Sequence, residues 1–471
     1  MPVAPNRWRR QGVDAARDLG SGSQRLAATL SWPHLVALGV GAIVGTGIYT
    51  LTGVGAGLAG PGVILSFAIA GAVCVCAALA YAEMATLIPA AGSAYTYSYA
   101  VLGETLAWVV GWSLILEYTV VCSAVAVGWS GHAVEFLDAV GVHLPLALRA
   151  GPEAVGGIVN LPAVVITLLV GGLLTLGTRE SATINTALVV VKVLALAAFV
   201  AIAFPHFDAS HFTPFMLNGF GSHTVDGQKV GVMAAAAIIF FAFYGFDAIS
   251  TAAEEAKNPA RDLTIGIIGS MLVCVAIYMA VAAAAIGAAR VETFAKDPAP
   301  LVFIMNALKQ PLAAKLVAAA AVIALPTVIL AFMYGQSRIF FAMARDRMLP
   351  EGLARVNRRG APVAVTALTA VIAAVIAGFL PLGQIAALAN SGTLCAFIAV
   401  CVCMLVLRRR EPERPRVFRT PWPWLVGPLG IVGCLYLFTS LPVITIELFF
   451  VWNAIGLVVY ALYARRRSLL A

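Results

Sequence analysis

The sequence predicts an all-α protein that crosses a membrane about twelve times, and three observations carry that prediction. Of its 471 residues, 61% are hydrophobic and 11% charged, against roughly 45–50% and ~25% in soluble domains. The apolar residues fall in long runs rather than in a 3.6-residue stripe, and about 20 residues at ~1.5 Å rise cross a hydrocarbon core ~30 Å thick. Basic residues collect in alternate gaps between the runs, the pattern of a chain threaded through a bilayer.

Read in order, the spans are 34–57, 62–86, 101–128, 158–177, 183–204, 230–254, 263–288, 314–343, 362–380, 383–407, 423–441 and 445–464. An even number puts both termini on one side. With the termini cytoplasmic, 23 of the 30 Lys and Arg residues lie inside and six outside, Lys192 being within a span. Basic loops are retained in the cytoplasm, so the expected setting is the inner or plasma membrane of the cell with both termini cytoplasmic. The formal charge of +8 follows from this asymmetry and from attraction to the anionic inner leaflet; it is not a nucleic-acid signal.

Before the first span, residues 1–33 form a polar, basic segment with no apolar stretch of the signal-peptide kind, so span 1 is expected to act as the insertion signal. The longest hydrophilic outer stretch, about Pro205 to Lys229, is too short to bury a core of its own. All eight cysteines fall within predicted spans and read as small apolar packing residues rather than a disulfide or metal framework. The histidines His132, His143, His206, His211 and His223 show no metal-ligand spacing. Trp108, Trp112, Trp129, Trp422 and Trp424 lie near span ends and read as interfacial anchors.

Two spans break the rule that a membrane helix hides its own backbone. GAIVGTGIY, Gly41 to Tyr49, puts three glycines into the middle of span 1, each costing roughly 1 kcal/mol of helix stability against alanine. FAFYGFDAIS, Phe241 to Ser250, places Gly245 among aromatics in span 6, followed by the ionisable Asp247. Irregular backbone at that depth must face protein or an aqueous cavity. Spans 1 and 6 lead two successive five-span blocks, 34–204 and 230–407, and matching interruptions point to an inverted repeat. Residues 423–464 add two further spans and 465–471 a cytoplasmic tail. The half-helices would offer N–H groups to a carboxylate and carbonyls to an ammonium, a pair of poles that fits a zwitterion such as an amino acid. The plainer reading of GAIVGTG is a small-residue seam for close helix packing; a nucleotide loop is poorer still, since no strand precedes it.

At these motifs the chain resembles the amino acid–polyamine–organocation superfamily, and within it bacterial members of the cationic amino acid transporter subfamily. The likeness runs from about Leu30 to Arg466. It is carried by Leu35 to Gly53, Tyr81 to Glu104, Gly111 to Tyr118, Phe240 to Ile267 and Gly335 to Pro350. The resemblance implies a leucine-transporter-like fold, a five-plus-five inverted repeat with spans 1 and 6 unwound at mid-membrane and two extra C-terminal helices, working by alternating access. It places Ile43, Gly45, Thr46 and Gly47 at the substrate, the last three at its carboxylate. Phe241, Ala242 and Tyr244 would offer carbonyls to its amine, with Phe241 capping the site from outside. Val121 and Ile329 match positions lining the side-chain pocket in relatives. They are bulky here and no acidic residue is placed to neutralise a second ammonium, which points to neutral, small to medium L-amino acids. A cationic amino acid or polyamine transporter or exchanger of the same fold is the alternative.

Lys192 lies about eight residues, ~12 Å, from the inner end of span 5. It is either a structural lysine bonded to carbonyls or a proton-coupling group, since intramembrane ionisable residues mark ion pathways. The resemblance implies the second, because Lys192 matches a lysine that in some relatives stands where sodium sits in sodium-coupled ones. Protons, not sodium, are then the coupling ion. Glu117 is central in span 3 and reads equally as a proton relay or a helix-packing hydrogen bond. Asp247 is read as stabilising N–H groups freed by the break, and Glu83 as an interfacial or gate contact. Ala253 to Asp262 leaves span 6 with charges expected to form inner-gate salt bridges.

No Ser/His, paired-Asp or His/Glu constellation lies in the spans, so no enzyme, cofactor or metal is expected. A channel would need a re-entrant filter or charged ring, and neither is visible; a membrane nutrient sensor is the other different-class alternative, though no signalling domain is attached. The partners expected are an amino acid substrate and membrane lipids, with no nucleic acid; a small single-span membrane partner is compatible with the sequence.

Overall fold

The computed structural model of the chain describes residues 12–14, 26–139, 141–152, 154–176, 178–225, 228–243, 245–295, 297, 299–357, 361–380, 382–439, 441 and 443–469. The principal helices are α1 (Trp32–Ile43), α2 (Thr46–Ala59), α3 (Val63–Leu87), α4 (Ala94–Val101), α5 (Glu104–Ala139), α6 (Leu161–Leu176), α7 (Thr178–Ala203) and α8 (Val232–Ile239). They continue with α9 (Asp247–Thr251), α10 (Pro259–Ala288), α11 (Pro300–Ala307), α12 (Pro311–Arg345), α13 (Val363–Phe379), α14 (Leu382–Arg410), α15 (Pro423–Thr439) and α16 (Val443–Val459). Among the described residues eight helical segments are long and apolar enough to cross a membrane, and α1, α6, α13 and α15 are shorter apolar helices.

Proline sets several starts. Pro33, Pro259, Pro300 and Pro311 sit in first turns, where the missing N–H has no intrahelical partner to lose. Pro326 is different, lying inside α12, where it deprives the Val322 carbonyl one turn earlier of its donor. The Trp129 indole N–H donates to that carbonyl at 2.9 Å. The defect becomes a link between α5 and α12, which pack along much of their length.

The interrupted helices lie at the centre. α1 packs on α10, α7 and α12; α2 packs on α8; α9 touches both α1 and α12. α15 and α16 form a flank whose Leu425, Val432, Phe450 and Val458 are exposed apolar side chains, as a lipid-facing surface requires. Trp108 and Trp112 correct the reading of both as interfacial anchors. Trp108 is fully buried and donates to the Gly456 carbonyl at 2.7 Å, while Trp112 and Trp452 stack and each donates to the other's carbonyl at 2.9 Å. They fasten α16 to α5. Trp422 and Trp424 are exposed.

The 204–231 loop holds a short hairpin, β1 (His223–Val225) antiparallel to β2 (Gln228–Val230). It is tied down at both sides: Asn218 Nδ2 and the Gly231 N–H donate to the Leu58 carbonyl, each at 2.9 Å, and the Asp208 N–H to the Gly287 carbonyl at 2.9 Å. The loop thereby covers the ends of α2 and α10.

Candidate functional site

Where a helix stops in the middle of a bundle, its last carbonyls and the next helix's first N–H groups lose their partners. α1 ends at Ile43 and α2 opens at Thr46, with Val44 extended and Gly45 non-helical between them. The freed carbonyls are taken up one by one. Lys192 Nζ, on α7, donates to the Gly41 carbonyl at 2.8 Å, the Val44 carbonyl at 2.6 Å and Thr327 Oγ1 at 2.8 Å. Three acceptors match the three N–H donors of an ammonium. Thr327 Oγ1 in turn lies 3.2 Å from the Gly41 carbonyl, so α12 joins the same knot.

The second break follows a 3₁₀ turn, Phe240–Ala242, that finishes α8; Gly245 then takes φ +116°, a conformation that favours glycine. Any Cβ at Gly245 would stand 2.8 Å from the Ala42 Cβ, and one at Gly47 2.4 Å from the Ala242 Cβ. The two breaks are therefore in contact, held at a distance that only glycine permits. Tyr278 OH, on α10, spans them. It lies 2.7 Å from the Ile43 carbonyl and 3.0 Å from the Ala242 carbonyl, and its one proton can serve either.

Around this centre the structure places the other expected residues. Ile43, Gly45, Gly47 and Ala242 are buried at the breaks, and Phe241 is half-buried beside them. The Thr46 side chain and all of Tyr244 lie outside the described residues. Val121 and Ile329 are buried on α5 and α12, whose proximity there is marked by Cys122 Sγ at 3.6 Å from the Ile329 carbonyl. The α12 residue set against Gly45 is Val328, whose Cγ2 would be 2.6 Å from a Cβ at that glycine. Sequence reasoning missed Val328, Thr327 and Tyr278.

Asp247 is fully buried; its Oδ2 accepts from Tyr118 OH of α5, and its Oδ1 has no partner among the described residues. The backbone N–H groups of Gly245, Asp247 and Ala248 also act on this carboxylate, so Tyr118 is added to the N–H groups expected for it. Glu117 accepts through Oε1 from Thr393 Oγ1 of α14, which makes it a contact between α5 and α14 with the other oxygen unpartnered among the described residues. Glu83 belongs to neither break. Arg408 donates to both its oxygens, at 2.8 and 2.7 Å, Arg416 Nε lies 3.0 Å away and the Thr420 N–H donates at 2.8 Å. It pins the segment after α14 against α3, and these partners lie outside the 253–262 run.

Past α9 that run closes one end of the bundle. Arg345 grips Glu254 through two hydrogen bonds of 2.9 and 2.7 Å, and Glu254 also accepts from the Ala91 N–H at 3.0 Å. Arg338 pairs with Glu255 at 2.8 Å, and Tyr334 OH donates to the same carboxylate. The N-terminal strand of chain is laced in as well: the Leu30 N–H donates to the Glu255 carbonyl and the Lys257 N–H to that of Leu30. Next to Arg345, burial pushes the Asp346 carboxyl up to about 6 while Arg345 pulls it down. Tyr95 OH, 2.8 Å from Asp346 Oδ2, can donate to the carboxylate or accept from the acid.

The model of the amino acid permease family matches residues 30–463, which takes in both breaks, Lys192 and the closure. The chain belongs to the amino acid permease family. The permease is 43% identical over 465 residues to the branched-chain amino acid permease BcaP of Bacillus subtilis (strain 168), covering 98% of each chain. It is 40% identical over 455 residues to the methylthioribose transporter of the same organism, covering 96% of each. With cationic amino acid transporter 2 (vacuolar) of Arabidopsis thaliana it shares 39% over 411 residues, 86% of the permease and 63% of that relative. A multi-pass amino acid transporter in the cell membrane accounts for the apolar helices and for the two breaks that sequence and structure share.

Proposed function

We infer that the permease is a proton-coupled secondary carrier for neutral L-amino acids, twelve spans in a five-plus-five inverted repeat, with both termini cytoplasmic. The single observation that carries this reading is the contact of the two breaks at Gly47 and Ala242. The first N–H groups of α2 would there be offered to a carboxylate, and the last carbonyls of the Phe240–Ala242 turn, that of Ala242 shared with Tyr278 OH, to an ammonium. Among the described residues near the breaks the charged groups are Lys192 and Asp247, and Asp247 is engaged by Tyr118. A second ammonium on the substrate would be buried without its own counter-ion. The names of the relatives include branched-chain amino acids, which supports a neutral aliphatic side chain. Methylthioribose carries neither carboxylate nor ammonium and would leave both poles unmet.

Counterflow in proteoliposomes loaded with one labelled amino acid tests this directly. Alanine, valine, leucine and isoleucine outside should drive exchange; arginine and methylthioribose should not. Exchange driven by arginine alone would overturn the substrate assignment.

Gly45→Val and Phe241→Ala are each expected to weaken binding at least tenfold while the protein stays monodisperse in detergent. The first drives a side chain into Val328 and the second removes the aromatic cover. Wild-type affinity in both, by scintillation proximity or isothermal titration, would remove the site from the breaks. Ile329→Ser should leave alanine exchange intact and admit longer side chains, because about 1–3 kcal/mol of discrimination rests on one methylene-sized step in an apolar pocket. An unchanged substrate panel would take Ile329 out of the pocket wall.

A further inference from the structure

At the end of the bundle that carries the Glu254–Arg345 closure, a groove of about 510 Å³ lies between the turn after α12 and the C-terminal end of the chain, lined by Arg347, Leu349, Glu351, Tyr463, Arg466 and Arg467. Its two walls are built rather than frayed. Ser468 is buried with its Oγ 3.1 Å from Tyr99 OH, and the Leu469 N–H donates to the Asp346 carbonyl at 3.3 Å, which fixes the tail against the end of α12. The charge in the groove is unbalanced. Glu351 pairs with Arg347 at 2.8 Å, and Arg467 lies over the Tyr463 ring and donates to its hydroxyl at 3.4 Å. Arg466 and Arg467 have no carboxylate partner among the described residues.

We propose that this groove binds the phosphate of an anionic phospholipid headgroup from the cytoplasmic leaflet, bridging the end of α12 and the C-terminal segment. The guanidinium fork matches phosphate oxygens in geometry and charge. Lipid rather than a soluble anion is favoured by what lies next to the arginines. One and two turns before Arg466, Leu462 is 69% exposed and Val458 58%, an apolar face on which an acyl chain can lie, and Leu349 and the Tyr463 ring continue it into the groove. The proposal rests on the orientation inferred above for the leaflet only; binding itself has no sidedness in detergent, and the orientation is tested separately by protease access to a C-terminal tag in intact cells.

The full-length protein in detergent is titrated with dioctanoyl phosphatidylglycerol, dioctanoyl phosphatidylcholine, glycerol 3-phosphate and inorganic phosphate, reading the thermal midpoint by tryptophan fluorescence and retained lipid by native mass spectrometry. Phosphatidylglycerol alone should raise the midpoint saturably. Arg466→Gln with Arg467→Gln should need about thirtyfold more of it, ~2 kcal/mol at ~1 kcal/mol for each basic residue at an anionic surface. Arg355→Gln with Arg419→Gln removes the same charge elsewhere and should titrate like the unaltered protein. Equal titration by the groove variant, or equal loss in the control pair, would overturn the site. An effect of glycerol 3-phosphate matching the lipid at equal concentration would overturn the lipid assignment. Should the groove variant be unstable, the number of lipids retained by its monodisperse fraction decides between the same outcomes.

Discussion

Arg338→Ala should destabilise the permease by about 3–5 kcal/mol, the cost of leaving one member of a buried pair alone. Arg338 and Glu255 are 1% and 0% exposed and 2.8 Å apart. The guanidinium also sits 3.8 Å from the centre of the Tyr334 ring, and Tyr334 shares the carboxylate. Removing the cation strands a buried Glu255 beside a phenol. Since Glu255 is also where the Leu30 segment is laced in, the closure as a whole should loosen. Chemical unfolding followed by tryptophan fluorescence should show the loss, and a cysteine placed at Ser93, whose hydroxyl lies 2.6 Å from that of Ser250 behind the closure, should react faster with a maleimide from that end. Arg338→Lys keeps the charge but not the fork and should fall between. The solvent-exposed Arg347–Glu351 pair gives the scale: Arg347→Ala should change stability by under about 1 kcal/mol. If Arg338→Ala behaves no differently from Arg347→Ala, this network does not hold the end shut.

What could be read from the sequence follows from which interactions are local. Three glycines within seven residues weaken a helix wherever it folds, and the break between Ile43 and Thr46 is where they stand. The end of α8 was legible for the same reason, because Gly245 adopts a backbone angle that other residues avoid. The depth of Lys192 follows from counting, and so does the presence of opposite charges beyond span 6. Their pairing does not. Nothing in the sequence tells that Glu254 meets Arg345 and Glu255 meets Arg338, more than 80 positions away.

The residues that sequence reasoning missed are single polar side chains in apolar runs, which carry no periodic signal. Tyr278 stands among alanines and valines, yet its hydroxyl joins the carbonyls of both breaks. Thr327 follows Pro326 within α12, and its hydroxyl completes the shell of Lys192. Trp108 and Trp112 were misplaced for the opposite reason: tryptophan near a span end suits an interface, and only the partner helix, with Gly456 opened for the indole, shows it to be an internal fastening. Glu83 similarly needed its partners, Arg408 and Arg416, to be understood.

Lys192→Met is expected to abolish accumulation driven by a proton gradient while leaving substrate exchange measurable. In the structure the Lys192 ammonium holds the Gly41 and Val44 carbonyls on either side of the α1 ending and reaches across to Thr327 on α12. It is thus a tie between the broken helix and its neighbours. A lysine at such depth costs about 2.5–3.5 kcal/mol even on the lenient insertion scale, so loss of its proton relieves a cost at the same moment that it removes a donor from the tie. Under the proposed proton coupling, arrival and departure of that proton would bias two arrangements of the break, which is what coupling requires. One proton moving down 100 mV supplies about 2.3 kcal/mol, enough at tenfold per ~1.4 kcal/mol to concentrate a neutral amino acid roughly fiftyfold. Uptake into proteoliposomes should therefore rise as external pH falls, survive replacement of sodium by choline and collapse with a protonophore. Lys192→Met keeps the length and apolar stem but has no proton to give, so its uptake should reach only equilibrium and lose its dependence on pH. Thr327→Val, which takes one acceptor from the shell, should weaken coupling without removing it. An absolute sodium requirement, or uphill uptake persisting in Lys192→Met, would shift the coupling role to Glu117, whose second carboxylate oxygen faces no partner among the described residues.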